Sequence, residues 1–458
     1  MNVLISLTLL GIISLFAGIT AWRNKIFTLV LCGIGGVFLL NISAFSNVNS
    51  YFKDMLMFDN YAVVFIGLVL FISFLIVLLS KNRFAYDEAN TGDYYGIIIF
   101  TLAGAVMMIS YSNLVMLFVG IETLSISLYV LAGSRKNNLA SNEAALKYFI
   151  MGAFATCILL LGMVLIYGIT GSFRLEEIAE FLNNNGGNFS LLLSGGILLI
   201  MIGLLFKVSA APFHFWAPDV YEGSPNIITL LMATVVKIAA FAGFFRLFIS
   251  CFSGVSNYWK DVLSVVIVLT LIIGHFAALR QSNLKRFITY SGIAHVGYML
   301  LTIITLNENS SNALFYYLLS YSLASIGAFI MVMILAEEEN PVDSKSLKGI
   351  ARKNPMVALF FTVTLLSLAG IPPMSGFFAK YYIFSEALKN GYIGLVLIAV
   401  ITALVGIYYY FRIIADMYST KTNEKTLNIS PIQKNVLAVC SALSLLAGIF
   451  PDIILNLL

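Results

Sequence analysis

The sequence contains unusually little charge. Only 10% of its 458 residues are Asp, Glu, Lys or Arg, whereas 60% are hydrophobic. Soluble domains carry about 25% charged residues, so this composition excludes an ordinary soluble protein and predicts an integral membrane protein. The net charge of +4 is small, and nothing in the sequence indicates binding to nucleic acid.

Cysteine and histidine are also scarce. The four cysteines show no paired spacing, so this chain alone cannot supply an iron–sulfur or zinc site. The three histidines fall in three different apolar runs, and their spacing indicates no pair of haem ligands. The sequence therefore predicts no metal and no cofactor bound by this chain. These residues are Cys32, Cys157, Cys251, Cys440, His214, His275 and His295.

No polar stretch is long enough to form a separate soluble domain. Apolar runs long enough to span a membrane, about 18 residues or more, follow one another along the whole chain. These runs predict an all-α integral membrane protein with about 14 transmembrane helices, here called spans 1–14. The spans are 3–22, 26–46, 59–80, 94–111, 113–133, 145–169, 190–217, 226–249, 259–280, 286–306, 312–336, 355–385, 391–416 and 433–456.

The distribution of Lys and Arg predicts an orientation. Cytoplasmic loops carry an excess of these residues, and the best agreement is reached with both termini on the periplasmic side. Sixteen basic residues then lie in the cytoplasmic loops: Arg23, Lys25, Lys81, Arg83, Arg135, Lys136, Arg280, Lys285, Arg286, Lys345, Lys348, Arg352, Lys353, Lys421, Lys425 and Lys434. Four lie on the opposite side: Lys53, Arg174, Lys260 and Lys389.

A few charges lie deep inside the apolar runs. Glu122, Lys207, Lys237 and Lys380 each sit inside a long apolar run that otherwise reads as a membrane helix. A charge at membrane depth costs several kcal/mol, and one that persists there usually marks an ion path or a proton relay. Because burial disfavours the charged form of lysine and a nearby carboxylate favours it, such groups can exchange protons. With His295, they predict a lateral chain of proton-carrying groups.

Two of these lysines accompany helix breakers. Lys207 precedes Pro212 in span 7, and Lys380 follows Pro372 in span 12. Proline removes a backbone donor, so both spans should be discontinuous, as in transporter binding sites. Glu122 and Lys207 are 85 positions apart, as are His295 and Lys380. This register predicts two inverted five-helix repeats, spans 4–8 and 9–13.

The repeats divide the chain into four predicted segments. An N-terminal three-helix segment with a cytoplasmic loop covers 1–93, the first repeat 94–250, the second repeat 251–420 and a C-terminal helix 421–458. In this register Lys237 of the first repeat corresponds to Arg412 of the second.

Other polar residues in the spans have less specific interpretations. Ser209, Ser291, Tyr298 and Ser375 could hold bridging waters beside the relay. Lys147, Arg246 and Arg412 lie near helix ends, where long basic side chains reach the interface. Lys147 and Arg412 stay secondary pathway candidates. His214 lies beside Trp216 at the break, where it is either a packing residue or a further pathway residue.

The chain resembles the proton-translocating, antiporter-like membrane subunits of respiratory complex I. The matching pieces are Gly120–Glu122, the long segment Lys207–Pro225, Lys237, Tyr290–Tyr298, and Leu368–Pro372 with Lys380. Within this family it is most similar to the compact members that end without a lateral helix and carry lysine at the position of Lys380.

This resemblance implies a function that the residues alone do not give. It implies that Glu122, Lys207, Lys237 and Lys380 form a proton pathway with His295 on its connecting axis, and that Lys147 matches a further family lysine. NADH, FMN, iron–sulfur clusters and quinone would belong to partner subunits, so this chain would be a non-redox part of a translocase in the bacterial inner membrane. Its partners would be neighbouring antiporter-like and small membrane subunits.

Two alternatives share some of these features. A subunit of a multisubunit sodium/proton antiporter has the same inverted repeat and lysine pattern, although Lys380 favours the first interpretation. A stand-alone transporter of a small solute would need a solute site at the broken helices, and the residues there offer no organised cage.

Overall fold

The computed structural model is almost entirely helical. It describes residues 1–45, 48–81, 91–184, 191–336, 342–420 and 429–455. The α-helices of these regions are α1 Asn2–Ile19, α2 Ile26–Ile42, α3 Asn60–Ser80, α4 Thr91–Ser110, α5 Leu114–Ala132, α6 Leu139–Thr170, α7 Leu175–Asn184, α8 Leu191–Lys207, α9 Trp216–Gly223, α10 Asn226–Ala233, α11 Val235–Ser250, α12 Lys260–Leu279, α13 Leu284–Thr305, α14 Glu308–Leu335, α15 Ile350–Lys353, α16 Pro355–Ala369, α17 Ser375–Lys389, α18 Ile393–Met417, α19 Pro431–Ile449 and α20 Asp452–Leu455. Short 3-10 helices cover Ala21–Lys25, Ser253–Tyr258 and Ser344–Leu347.

These helices confirm the predicted membrane class. Within the described residues, twelve helical stretches are long and apolar enough to cross a membrane, and two shorter apolar helices, α8 and α16, coincide with the broken spans 7 and 12. Arg83, Lys421 and Lys425, which the orientation argument used, lie outside the described residues.

A small β-hairpin follows α2 and was not predicted. Strand β1, Asn49–Tyr51, pairs antiparallel with β2, Leu56–Phe58. Phe52, Lys53 and Asp54 turn the chain with positive φ angles of 54°, 54° and 63°. Positive φ angles at three consecutive non-glycine residues are uncommon. Because the turn contains no glycine or proline, the usual sequence signal for a turn is missing.

Both predicted helix breaks are present. The chain is non-helical between the end of α8 at Lys207 and the start of α9 at Trp216, and between the end of α16 at Ala369 and the start of α17 at Ser375. Gly370 ends α16 with φ of +83°, a conformation that glycine adopts without steric cost. A third interruption, at Thr234 between α10 and α11, was not predicted.

The described residues form two compact units. Unit 1 comprises Met1–Val208 and Val235–Val262, and unit 2 comprises Ser209–Thr234 and the described part of Leu263–Leu457. Each unit holds one broken-helix lysine, Lys207 in unit 1 and Lys380 in unit 2. In these units, Ser209–Thr234 groups with the later part of the chain, and the four predicted segments stay a prediction.

The interface interpretation of Arg246 was wrong. Arg246 is only 5% exposed, and its guanidinium donates to Asp59 at 2.6 Å while lying 5.0 Å from the ring centroid of Tyr61. Asp59 also caps α3 by accepting from the Ala62 amide. Arg246 therefore fixes α11 against α3 inside unit 1.

Removing Asp59 is expected to destabilise the protein. Asp59→Ala leaves the buried Arg246 cation unpaired, which should lower the free energy of unfolding by about 3 kcal/mol, the lower end of the range for broken buried ion pairs. The substitution also removes the cap of α3. Glu143→Ala is the matched control, since its pair with Lys147 is exposed and such pairs contribute less than about 1 kcal/mol. Thermal unfolding in detergent compares them; equal midpoints would contradict a stabilising role for the Asp59 pair.

Candidate functional site

Lys207 is the centre of the polar cluster in unit 1. It is the last residue of α8 and is 6% exposed. The carbonyl end of a helix carries partial negative charge, which favours a cation there. Its ammonium donates to the Ser125 hydroxyl at 2.7 Å and lies 5.8 Å from the ring centroid of Tyr148. The break in span 7 thus provides a polar environment for a charge at membrane depth.

Glu122 and Ser125 present the side of α5 that faces this lysine. The direct partner of the Lys207 amine is Ser125, whose hydroxyl in turn donates to the Ile121 carbonyl. Glu122 lies one turn earlier on α5 and therefore on the same face of this helix as Ser125. Its buried Oε1 has no hydrogen-bond partner within the described residues. A buried carboxylate oxygen of this kind is an available proton acceptor.

Lys237 lies in unit 1 on α11. It is 3% exposed and comes three residues after the interruption at Thr234. Lys147 lies on α6 and forms an ion pair with Glu143 at 2.7 Å, with its side chain 40% exposed. Of the two, only Lys237 has the burial expected of a pathway residue.

Lys380 is the centre of the polar cluster in unit 2. It is 8% exposed and donates to the carbonyls of Leu368 at 3.2 Å and Ala369 at 2.8 Å. These carbonyls end α16 and lack helical partners because the helix stops there. Lys380 therefore sits at the negative end of a broken helix, as Lys207 does in unit 1. Its amine also lies 5.2 Å from the ring centroid of Tyr298.

His295 on α13 has hydrogen bonds on both ring nitrogens. Its Nδ1 lies 2.7 Å from the Tyr317 hydroxyl, and its Nε2 lies 3.4 Å from that of Tyr410. Ser291, one turn earlier on α13, also bonds to Tyr410. A neutral imidazole donates from one nitrogen and accepts at the other, so this arrangement suits proton relay.

A small cavity connects His295 to a group of serines. Its volume of about 10 Å³ is that of roughly one water, and His295, Tyr317, Ser320 and Ser367 contribute to its lining. Ser375, the first residue of α17, bonds to Ser320 at 2.7 Å and to Ser444 at 3.0 Å. Of these serines, only Ser375 was predicted.

The remaining candidates in unit 2 lie apart from these contacts. His214 is buried, stacks on Phe215 with ring centroids 4.5 Å apart, and its Nδ1 has no hydrogen bond in the described regions. Ser209 turns the chain at the break with φ of +63°. Arg412 is exposed on α18.

The long segment after Lys207 is anchored by an ion cluster. Arg286, at the start of α13, pairs with Asp219 at 3.1 Å and with Glu222 at 2.7 Å, both on α9. Lys285 is 5% exposed and donates to the Ser224 carbonyl at 2.7 Å. These contacts hold the short helix α9 in unit 2 and account for the polar residues of that segment.

The polar clusters contain no evident metal site. Among the residues that the structure describes, no group of three or more His, Cys, Asp or Glu side chains is arranged to hold a metal ion.

Known proteins resemble this chain along its whole length. A family model described as NADH:quinone oxidoreductase/Mrp antiporter, transmembrane, matches residues 112–406. A protein named NADH-quinone oxidoreductase subunit N from Flavobacterium psychrophilum is 40% identical over 100% of both chains. One of the same name from Cytophaga hutchinsonii is 40% identical over 100% of this chain and 99% of its own.

Solved structures have the same fold. A chain of respiratory complex I from Thermus thermophilus superposes with a TM-score of 0.87 at 31% identity, covering 99% of this chain and 98% of that one. A chain of the Mrp complex from Dietzia gives a TM-score of 0.86 at 19% identity, with 100% and 96% covered. The second likeness is one of fold alone.

Proposed function

We propose, because the chain belongs to the NADH:quinone oxidoreductase/Mrp antiporter transmembrane family, that it is the proton-translocating subunit N of a bacterial NADH–quinone oxidoreductase. The family match spans both helix breaks and the residues Glu122, Lys207, Lys237, His295 and Lys380. Relatives named subunit N are 40% identical to this chain over its full length. This similarity supports the assignment as subunit N over that as a subunit of a sodium/proton exchanger.

One observation carries the proton-translocating role. Each unit holds a buried lysine at the carbonyl end of a broken helix, with hydroxyl or aromatic groups beside its amine. Such a lysine is stabilised as a cation, yet its burial allows it to release a proton when a neighbouring charge changes. Glu122, Lys207 and Lys237 form the relay of unit 1, and His295 and Lys380 that of unit 2.

The chain itself carries out no redox step. NADH, FMN, iron–sulfur clusters and quinone belong to partner subunits, whose quinone reduction drives the relay. The protein lies in the bacterial inner membrane with both termini on the periplasmic side, beside neighbouring antiporter-like and small membrane subunits. The exposed apolar side chains of α6, among them Phe149, Phe154 and Leu161, suit such neighbours or lipid. The four segments and the inverted repeats remain part of this proposal.

NADH-driven acidification of inverted membrane vesicles tests this function. Vesicles that contain the complete complex should acidify their lumen on NADH addition, and replacing sodium in the buffer with potassium should leave the initial rate unchanged. Vesicles from cells lacking this chain provide the control. An exchanger subunit would instead give sodium-dependent proton movement under an imposed sodium gradient without NADH, and that result would contradict the proposal.

A further inference from the structure

His275 on α12 is enclosed by two tyrosine hydroxyls. It is 2% exposed, its Nε2 lies 2.7 Å from the Tyr298 hydroxyl, and its Nδ1 lies 3.1 Å from the Tyr409 hydroxyl. A single histidine in an apolar run has no recognisable pattern, so the sequence alone predicts no role for His275. With both nitrogens bonded to groups that donate and accept, the ring is suited to pass a proton from one side to the other.

Gly406 leaves the space for this ring. A Cβ at position 406 would lie 2.9 Å from His275 Cε1 and 3.2 Å from Nδ1. Gly406 lies one turn before Tyr409 on α18, so the absence of its side chain lets the imidazole approach that helix and reach the Tyr409 hydroxyl. Close packing therefore fixes the orientation of the His275 ring.

Buried hydroxyl groups continue from Tyr409 towards His295. The rings of Tyr409 and Tyr410 pack with their centroids 4.7 Å apart, and the hydroxyls of Ser291 and Tyr410 bond to each other. The Tyr410 hydroxyl lies 3.4 Å from His295 Nε2. All of these side chains belong to unit 2 and are buried. The groups between the two histidines are thus hydroxyls, each able to donate and to accept.

The other end of this chain lies at Lys380. The Lys380 amine is 5.2 Å from the ring centroid of Tyr298, whose hydroxyl bonds to His275. Tyr298 therefore contacts both Lys380 and His275.

We propose that His275 is a proton-relay residue, linking Lys380 to His295 through Tyr298, Tyr409, Tyr410 and Ser291. The inference rests on the proposed proton translocation and adds a route that the sequence did not indicate. A proton arriving at the Tyr298 oxygen displaces the hydroxyl proton of Tyr298 onto His275 Nε2. His275 releases the proton on Nδ1 to the Tyr409 oxygen, and the Tyr409 proton passes through Tyr410 or Ser291 to His295 Nε2. One proton is taken up at Tyr298 and one is delivered to His295, and the hydroxyls and the His275 ring then reorient.

Two variants of the assembled complex test this relay. His275→Gln keeps one hydrogen-bond donor and one acceptor for the two tyrosines, but glutamine cannot carry a proton. If His275 served only to hydrogen-bond the tyrosines, this variant would pump normally. Tyr409→Phe removes one oxygen and keeps the ring that packs on Phe287. The control is Tyr316→Phe, which removes a buried hydroxyl that donates only to the Ala447 carbonyl among the described contacts.

The readout is the initial rate of NADH-driven proton pumping, in membranes matched for assembled complex, with NADH oxidation followed in the same sample and Lys380→Ala as a reference. We expect His275→Gln and Tyr409→Phe to lower the pumping rate at least about threefold, since a positioned proton carrier contributes more than this to a transfer step, and Tyr316→Phe to leave it unchanged. A normal pumping rate in both relay variants with a lowered rate in Lys380→Ala would overturn the His275 relay alone. A normal rate in Lys380→Ala as well would contradict the proposed function.

Discussion

Replacing Lys207 with alanine is expected to abolish proton pumping and to slow NADH oxidation with it. A positioned proton carrier contributes about 10²- to 10⁴-fold to a transfer step, so the loss should exceed about tenfold. Oxidation should fall too, because in a coupled complex an arrested relay holds back the reaction that drives it. The measurement is acidification of inverted vesicles, with NADH oxidation followed in the same sample.

The structure gives a specific reason for this effect. The Lys207 amine is held by Ser125 at 2.7 Å, and Lys207 is the last residue of α8, at the carbonyl end of that helix. Alanine at this position removes the amine that can take a proton from the α5 side. Ser125→Ala should lower pumping less, because it removes a hydrogen bond that orients the amine while leaving the amine itself.

Lys260→Ala is the matched control for this prediction. Lys260 begins α12, is half-buried and lies over the Trp259 ring, 5.8 Å from its centroid, so the substitution removes the same charge away from the clusters. Pumping should be normal in this variant. Normal pumping and normal oxidation in Lys207→Ala, with the complex assembled, would leave Lys207 as a structural charge and contradict the relay.

Most of the fold could be predicted from the sequence, because membrane helices have strong sequence signals. Long apolar runs, the bias of Lys and Arg among loops, and prolines inside two spans each depend on the chain alone. The breaks after Lys207 and Ala369 followed from Pro212 and Pro372 for that reason. The hairpin at Asn49–Phe58 lacked the usual glycine signal, and the interruption at Thr234 has no proline within the helix to mark it.

The candidate residues were harder to predict, because a polar residue gains its role from neighbours on other helices. A charge inside an apolar run stands out by its cost, which is how Lys207 and Lys380 were found. Ser125 and Tyr409 carry no such cost in the sequence, since serine and tyrosine are common in membrane helices, and His275 is a single histidine in an apolar run with no recognisable pattern around it. The prediction that Arg246 reaches the membrane interface was wrong, because its position near a helix end gave no sign of its partner. That partner, Asp59, caps another helix and is 187 positions away in the sequence.

Alanine at Gly376 is expected to prevent unit 2 from packing correctly. Gly376 lies in the first turn of α17, and a Cβ there would overlap the Ser367 carbonyl oxygen on α16. The Gly376 amide donates to the Ser367 hydroxyl at 3.2 Å, so the two half-helices meet by close backbone approach. Overpacking a core usually costs about 1–3 kcal/mol, and a clash with backbone, which cannot rotate away, should reach or exceed the upper end of that range.

The clash also displaces the groups that form the polar cluster of unit 2. Moving α17 away from α16 separates Lys380 from the Leu368 and Ala369 carbonyls and Ser375 from Ser320. We therefore expect Gly376→Ala to lower both the amount of assembled complex and the pumping of what remains. Gly394→Ala on α18 is the control, because nothing lies within 4 Å of a Cβ at that position. Equal amounts of complex in both variants, measured by native electrophoresis, would show that α16 and α17 do not depend on this contact.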